Sequence, residues 1–119
     1  MPKGRMLNKK ISYDEKIAKL SIESTLLFVF FIPHLDVSGR FFAKSEIIKG
    51  TICPYIAELT PRKIQKCLKE MEEMGLIMIY GDGEHKYLQF NGFVKNQKID
   101  KNKEAQSEIP DPNSRVTPE

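Results

Sequence analysis

The chain of 119 residues contains no tryptophan, two cysteines and two histidines. Cys53 and Cys67 are isolated, with no C-x-x-C pair and no histidine at ligand spacing. We therefore expect buried thiols in a reducing compartment, and neither a zinc site nor a disulfide. His34 also lacks an Asp, His or Cys partner at metal spacing. The sequence predicts no metal site and no cofactor.

Groups that could perform catalysis are equally sparse. Asp82 and Glu84 flank a turn, without the second partner that general acid–base chemistry needs. No helix follows Gly81-Asp82-Gly83, so this turn is not a phosphate-binding loop. The sequence predicts no catalytic residues, and we expect the protein not to be an enzyme.

Long apolar runs are missing too. The run Leu26–Ile32 is far shorter than the roughly 17–25 residues of a membrane-spanning helix. The basic start of the chain is not followed by an apolar stretch of the signal-peptide type. We expect a soluble cytoplasmic protein that does not associate with a membrane.

Charge of one sign is only weakly in excess, because the net charge is +3. Residues 98–119 hold four basic and five acidic residues, three prolines and few apolar side chains, which predicts a disordered polar tail. Residues 1–97 therefore carry a net charge of +4 and are expected to form one domain. This excess is too small to establish nucleic-acid binding by itself.

The segment from Thr60 to Gly75 is the most informative, because its charges oppose the helix that it should form. Thr60 is a good N-cap, Pro61 suits the first helical position, and Gly75 suits a helix end. Basic residues occupy the first half and acidic residues the last turns, whereas the helix dipole favours the reverse. A local rule broken without local gain indicates a function. At 100° per residue, the polar face opposite the apolar one consists of Arg62, Gln65, Lys66 and Lys69.

Two strand-like runs, Leu76–Tyr80 and Lys86–Phe90, follow this helix and are joined by a glycine-rich turn. A capped helix that leads into a β-hairpin is typical of the end of a winged helix-turn-helix. The sequence thus predicts an α+β winged helix-turn-helix with three main helices, a small antiparallel sheet that includes the hairpin wing, and a disordered tail. The other predicted elements are a helix over 13–19 with a capping box at Ser12, a helix from Ser21 or Ser24 to Ile32, a strand over 40–43, and a helix over 46–52 capped by Ser45.

Short motifs recur in order along residues 2–98, and their spacing is more specific than any one of them. These motifs are Pro2-Lys3 with Arg5, Ile11-Ser12 with Glu15-Lys16, Leu27-Phe28, Ile32-Pro33-His34 with Asp36, Gly39-Arg40, Cys53-Pro54, Gly75-Leu76-Ile77 with Tyr80, and Tyr87-Leu88-Gln89 with Phe93 ahead of Gln97. Together they resemble the N-terminal domain of phage replisome-organizer (replication initiation) proteins, which is close to the winged helices of DnaD-like primosomal proteins.

The resemblance implies a protein that binds DNA at a phage origin and helps to recruit the host helicase or helicase loader. It implies double-stranded DNA as the partner and a place at the nucleoid in the bacterial host cytoplasm. Two other functions stay open. One is a transcriptional regulator with the same fold. The other is a protein-interaction or oligomerisation module that docks helicase-loading partners without itself binding DNA.

Three groups of residues are predicted to contact DNA. The helix from Pro61 is expected in the major groove, with its lysines on phosphates. The alternative is a solvated face with i,i+4 ion pairs between lysines and glutamates. The hairpin tip and the N-terminal arm have a similar alternative as plain solvated cations. The predicted contacts are Arg62, Lys63, Gln65, Lys66 and Lys69 on the helix, His85 and Lys86 at the tip, and Lys3, Arg5, Lys9 and Lys10 in the arm.

The helix that contains Leu26–Ile32 has no polar face at its C-terminal end, which predicts burial on all sides. A domain of this size cannot easily wrap such a helix, so Leu26–Ile32 is a candidate homodimer surface. The alternative is that the N-terminal segment covers it.

Overall fold

The computed structural model of the protein describes residues 3–82, 84–93 and 107–112. A short 3-10 turn, Lys9–Tyr13, precedes helix α1, Glu15–Ala18. Helix α1 is shorter than predicted because its N-cap is Asp14 and not Ser12. The Asp14 carboxylate accepts hydrogen bonds from the backbone N–H groups of Lys16 and Ile17. An acidic cap also suits the positive end of the helix dipole.

Helix α2 begins after the Ser21 cap, one of the two predicted starts, and spans Ile22–Phe31. A 3-10 turn over Ile32–His34 follows, because Pro33 cannot continue the helical hydrogen bonds. Helix α3 begins at Ser45, so the predicted cap lies inside the helix and Lys44 takes the cap position. The later elements are strand β1 (Arg40–Phe42), helix α3 (Ser45–Ile52), helix α4 (Pro61–Glu73), and strands β2 (Ile77–Gly81) and β3 (Lys86–Phe90).

The three strands form one antiparallel sheet in the order β1-β3-β2. Leu88 in the central strand stands opposite Phe41 on one side and Ile79 on the other. The predicted α+β fold with a small three-stranded antiparallel sheet is thereby confirmed. Successive strand residues point to opposite sides, so Leu88 and Phe90 define an inner face that packs on the helices.

The core lies between this inner face and helices α2 and α4. Phe28 stacks on Phe90 with ring centroids 4.8 Å apart, and Phe31 meets Phe41 edge-on at 5.8 Å. Met71 of α4 is fully buried. Each such side chain contributes roughly 1.5–3 kcal/mol by leaving water. This packing fixes which side of α4 faces the interior and therefore which side faces solvent.

The turn before β1 requires a glycine at position 39. Gly39 has φ +77°, and a Cβ built there would lie 2.6 Å from Cβ of Phe93. The turn is closed by the Gly39 N–H, which donates to the carbonyl of Asp36 at 2.9 Å. The Asp36 carboxylate also accepts from the N–H groups of Ser38 and Arg40. The start of β1 is thus held by one carboxylate and one close backbone approach.

Helix α2 is only partly buried within the single chain. Leu27, Phe28 and Phe31 are buried in the core, whereas Leu26 and Phe30 remain 36% and 38% exposed. Part of the run is covered by the N-terminal segment, because Met6, Leu7 and Ile11 line a small cavity of about 190 Å³ together with Phe28 and Ile32. Within the described residues, no helix is both long and apolar enough to cross a bilayer.

Residues 107–112 of the predicted tail lie against the sheet. Arg40 forms an ion pair with Asp111 at 3.1 Å, and the Tyr80 hydroxyl donates to the carbonyl of Pro110 at 2.6 Å. This stretch therefore has defined partners where the sequence predicts disorder, although it forms no helix or strand. Low local apolarity is a poor guide here, because the contacts are polar and made with residues 30 to 71 positions earlier. The rest of the predicted tail lies outside the described residues.

Candidate nucleic-acid interface

Helix α4 presents a basic, solvent-exposed face. Thr60 caps the helix, because its hydroxyl accepts a hydrogen bond from the Lys63 N–H at 3.2 Å. The opposite face is buried through Ile64, Cys67, Leu68 and Met71. The exposed face carries the four side chains that helical spacing assigns to it: Arg62, Gln65, Lys66 and Lys69.

Lys63 does not belong to this face. It is half-buried and lies about 100° around the helix from Arg62. Its charge acts on the Cys67 thiol and the Glu70 carboxylate, which places it on the side of α4 that faces α2. Lys63 is thus the one predicted helix contact that the structure separates from the other four.

The acidic end of α4 has a structural explanation that the sequence does not reveal. The Glu70 carboxylate accepts hydrogen bonds from the Ser21 N–H at 2.9 Å and the Ser21 hydroxyl at 3.0 Å, and a further short one from the Ser24 hydroxyl. Glu70 therefore stabilises the start of α2, where the helix dipole favours an anion. Glu72 accepts from the Ile79 N–H at 3.1 Å and so ties α4 to β2.

These contacts correct the charge argument from the sequence. Glu70 and Glu72 gain specific partners in other elements, so their unfavourable position in α4 is compensated structurally. The alternative of a Lys66–Glu70 pair is replaced by contacts between Glu70 and α2. Arg62 and Lys66, four residues apart, keep their mutual repulsion on the exposed face. The unexplained part of the pattern is therefore its basic half.

Replacing Glu70 with glutamine is expected to lower the free energy of unfolding at neutral pH by about 1–3 kcal/mol, because a charge-assisted cluster becomes neutral. The Ser24 hydrogen bond, followed by those from Ser21, holds the pKa of Glu70 below its usual value of 4.5. The ionised carboxylate therefore stabilises the fold above that usual value, and the contribution is lost as the pH falls through the lowered pKa. Urea unfolding at several pH values should show the two proteins converging in acid. A constant difference at all pH values would contradict this role.

An open cleft lies beside the basic face, between α4, the start of α3 and the hairpin. Gln65 and Lys69 of α4 and Lys86 of the hairpin line it. The Gln65 amide donates to the Ser45 hydroxyl at 3.4 Å, a long hydrogen bond across the cleft. Three carboxylates share this cleft with its lysines, namely Glu46, Glu72 and Glu84. The strongest positive charge is therefore on the outer face of α4 and not inside the cleft.

The hairpin tip is organised by Asp82. Its carboxylate accepts hydrogen bonds from the N–H groups of Glu84 and His85, at 3.1 and 2.8 Å. These hydrogen bonds lower the pKa of Asp82, that from His85 first. The imidazole of His85 is exposed and stacks on Tyr87 with ring centroids 6.2 Å apart. Predicted contact residues His85 and Lys86 thus diverge, with His85 towards Tyr87 and Lys86 towards α4.

The structure does not bring the N-terminal arm to the basic start of α4. Arg5 donates through Nε and Nη2 to the carbonyl of Leu35 at 3.3 and 3.2 Å, and its guanidinium lies 5.5 Å from the Phe93 ring centroid. The neighbouring residues of the arm pack near Leu76, just beyond the far end of α4. A helix of 13 residues is about 20 Å long, which separates the arm from Arg62. Lys3, Lys9 and Lys10 are exposed.

The sequence did not single out two exposed residues, one on each side of α3. Lys44 lines the cleft opposite Lys69 and is the N-cap residue of α3. Tyr55 is 97% exposed in the turn between α3 and α4. The available signal was their position, because Lys44 immediately precedes α3 and Tyr55 lies in the turn between α3 and α4.

Both cysteines are buried, as expected, and both are free thiols. Burial raises the pKa of the Cys53 thiol and, likewise, that of Cys67, so both are protonated at neutral pH. Among residues 3–82, 84–93 and 107–112, no three His, Cys, Asp or Glu side chains come together as a metal site would require. Comparison of the chain with protein-family models, with curated proteins and with solved structures finds no significant match.

Proposed function

We propose that the protein binds duplex DNA as a winged helix-turn-helix. Helix α4 would enter the major groove, and the β2–β3 hairpin would be the wing against the adjacent backbone. The order of α2, β1, α3, α4 and the hairpin supports this arrangement. The observation that carries the proposal is the exposed basic face of α4, which the fold's own packing leaves without a structural purpose.

The proposal assigns different roles to the side chains of this face. Arg62, near the start of α4, is the candidate for a base edge, since its guanidinium can make two parallel hydrogen bonds to guanine. Gln65 can reach a base only by exchanging its long hydrogen bond with Ser45. The lysines act on phosphates, which fix position without reading sequence. Those lysines are Lys66, Lys69, Lys86 and, added by the structure, Lys44.

Replacing Lys66 with alanine is expected to weaken binding about equally for all duplexes and to reduce the salt slope by roughly one unit, because one phosphate contact is lost. A titration against duplexes at several salt concentrations measures both quantities. Lys19→Ala is the matched control, since Lys19 is also exposed but is the C-cap residue of α1 and not part of the basic face of α4. An unchanged slope for the Lys66 variant would remove this residue from the interface.

The biological role that we propose is initiation of phage replication, with recruitment of the host helicase or its loader. It is supported by the resemblance of residues 2–98 to replisome-organizer proteins. A transcriptional regulator with the same fold differs only in the site that it binds. Salt-dependent titration with random and with phage-origin duplexes tests both affinity and site. Preference for the origin duplex supports replication, and equal affinity for all duplexes contradicts it.

A second candidate function is self-association. Ile22, Leu26 and Phe30 lie four residues apart along one side of α2 and are 85%, 36% and 38% exposed. Residues at this spacing form one stripe on a helix. Such a stripe would suit a second copy of the chain packing helix against helix.

Replacing Ile22 with lysine tests this second candidate. The side chain is almost fully exposed, so the variant should keep its folded stability within about 0.5 kcal/mol. Sedimentation of the wild-type chain and the variant, with and without DNA, gives the result. Oligomers that the substitution dissociates, in a protein without DNA affinity, would favour the interaction module. A monomer at all concentrations would exclude it.

A further inference from the structure

The sheet has an outer face that the core does not use. Successive residues of a strand point to opposite sides of the sheet, so the strand neighbours of the buried residues face this side. The aromatic side chains among them form a cluster. Tyr87 is at its centre, with its ring 6.1 Å from Phe42 and 5.6 Å from Tyr80. Phe42 and Met78 are 41% and 43% exposed. Arg40 stands at the edge of this cluster, opposite Gln89 in the neighbouring strand.

One segment of the chain is already docked on this outer face, with contacts to β1 and β2. Arg40 donates through Nη1 to the carbonyl of Ile109 at 2.9 Å and through Nη2 to the Asp111 carboxylate at 3.1 Å. The Tyr80 hydroxyl donates to the carbonyl of Pro110 at 2.6 Å. Three consecutive residues of the segment are therefore recognised by two side chains of the sheet. With the segment in place, the Arg40 side chain is 12% exposed and that of Asp111 is 49% exposed, so Arg40 lies beneath the segment and Asp111 lies at the surface.

The other end of the segment is recognised by Asp36. The Ser107 hydroxyl donates a short hydrogen bond to one carboxylate oxygen of Asp36. The second oxygen of Asp36 is held by the N–H groups of Ser38 and Arg40, so its position is fixed by the turn. Ser107 also accepts from the Ile109 N–H at 3.2 Å, which makes the segment compact. The site thus recognises a hydroxyl, two main-chain carbonyls and a carboxylate in that order.

The chemistry of these contacts fits a peptide better than a nucleic acid. Main-chain carbonyls are supplied by any extended peptide, and the fork of Arg40 suits a carbonyl beside a carboxylate. Asp36 would repel a phosphate but accepts a serine hydroxyl. The guanidinium of Arg40 is paired with a carboxylate of the segment itself, that of Asp111. The partner expected here is therefore a protein segment.

We propose that Asp36, Arg40 and Tyr80 form a peptide-docking site on the outer face of the sheet, which residues 107–112 occupy in cis. A partner protein would occupy it in trans by presenting an acidic, proline-containing segment with a serine four positions before its carboxylate. The cis segment is then a competitor that the partner displaces. This site uses none of the α4 side chains, so it stands or falls separately from DNA binding.

Competition in cis has a measurable consequence. Only thirteen residues separate Phe93 from Ser107 in the sequence, and a ligand tethered over a short distance competes at an effective concentration on the order of millimolar. A free peptide should therefore bind weakly to the wild-type chain. Removing the cis segment should increase the apparent affinity of the free peptide. The factor is the inverse of the fraction of wild-type molecules in which the site is not occupied by the segment.

The test uses the full chain with the two substitutions Ser107→Glu and Asp111→Lys. These place a negative charge beside Asp36 and a positive charge beside Arg40, so that repulsion displaces the segment from the sheet. Isothermal calorimetry and NMR then follow binding of a capped peptide of sequence Ser-Glu-Ile-Pro-Asp-Pro. We expect the peptide to bind this variant about tenfold more tightly than the wild type. The same peptide with lysine in place of its aspartate is the ligand control and should not bind.

A second substitution tests the receptor side. Tyr80→Phe is added to the variant that carries Ser107→Glu and Asp111→Lys. It removes one hydroxyl and keeps the ring, and should weaken peptide binding about threefold to tenfold. Tyr55→Phe is the matched control, because Tyr55 is exposed far along the chain from this face. The proposal would be overturned if the peptide bound equally tightly to the wild-type chain and to the Ser107→Glu, Asp111→Lys variant. It would also be overturned if the two tyrosine substitutions had equal effects. Tighter binding of an oligothymidine than of the peptide at Arg40 and Tyr80 would also overturn it and assign the face to single-stranded nucleic acid.

Discussion

Replacing Arg62 with alanine is expected to relax the sequence preference of duplex binding at one base position, by about 1–3 kcal/mol. Arg62 lies on the exposed face at the start of α4, and the described contacts of the fold give it no structural role that alanine would disturb. The folded stability should therefore change little. Competition among duplexes that differ at one position each, measured at fixed salt, locates the effect.

Arg62→Lys separates charge from geometry. Lysine keeps the positive charge but lacks the planar fork, so the salt slope should stay near the wild-type value while discrimination at that position is lost. If both variants weaken all duplexes equally, Arg62 contacts a phosphate and not a base. If neither changes binding, α4 does not enter the groove by this end.

Replacing Gly39 with alanine is expected to lower the free energy of unfolding by about 2–5 kcal/mol. The left-handed backbone conformation costs about 1–2 kcal/mol for a residue with a Cβ. The new methyl group would also overlap with Phe93, and overpacking costs about 1–3 kcal/mol. For a domain of this size the melting temperature should fall by about 10–25 °C. Thermal unfolding followed by circular dichroism provides the measurement.

Gly50→Ala is the matched control for this prediction. Gly50 lies in α3, and a Cβ there has no neighbour within 4 Å. Alanine should therefore raise stability by roughly 0.5–1 kcal/mol through its better helix propensity. The turn geometry would be supported if Gly39→Ala lowers and Gly50→Ala raises the free energy of unfolding. A stable Gly39 variant would show that the turn can rearrange away from Phe93.

Local patterns predicted most of the fold because they depend on local chemistry. The Thr60 cap, Pro61 and Gly75 bracket α4 within two residues of its observed ends. A short apolar run from Leu76 predicted the first strand of the hairpin, and an alternating run from Lys86 predicted the second. Such signals arise from propensity and burial along a short stretch of chain, and the sequence displays them directly. The orientation of the basic face follows from the same periodicity.

Contacts between distant residues were not predictable in this way. Glu70 looked misplaced because its partners, Ser21 and Ser24, precede it by nearly fifty residues. Arg5 looked like a free cation, yet it donates to the carbonyl of Leu35. When the partner of a charged residue is distant in the sequence, local patterns predict that the charge is solvent-exposed. The structure therefore separates Lys63 and the N-terminal arm from the basic face of α4. It adds Lys44, which lines the cleft beside that face.

The lack of tryptophan gives the outer face of the sheet an experimental advantage. Ultraviolet emission comes from four tyrosines alone, and two of them, Tyr13 and Tyr55, are 77% and 97% exposed. Tyr80 and Tyr87 lie 5.6 Å apart, and the Tyr80 hydroxyl is bonded to Pro110. Burial raises the pKa of Tyr80 to about 12, so its ionisation in strong alkali is delayed relative to an ordinary phenol. We therefore expect the alkaline titration of Tyr80 to move towards that of an ordinary phenol when residues 107–112 leave the sheet, which absorbance can follow without any label.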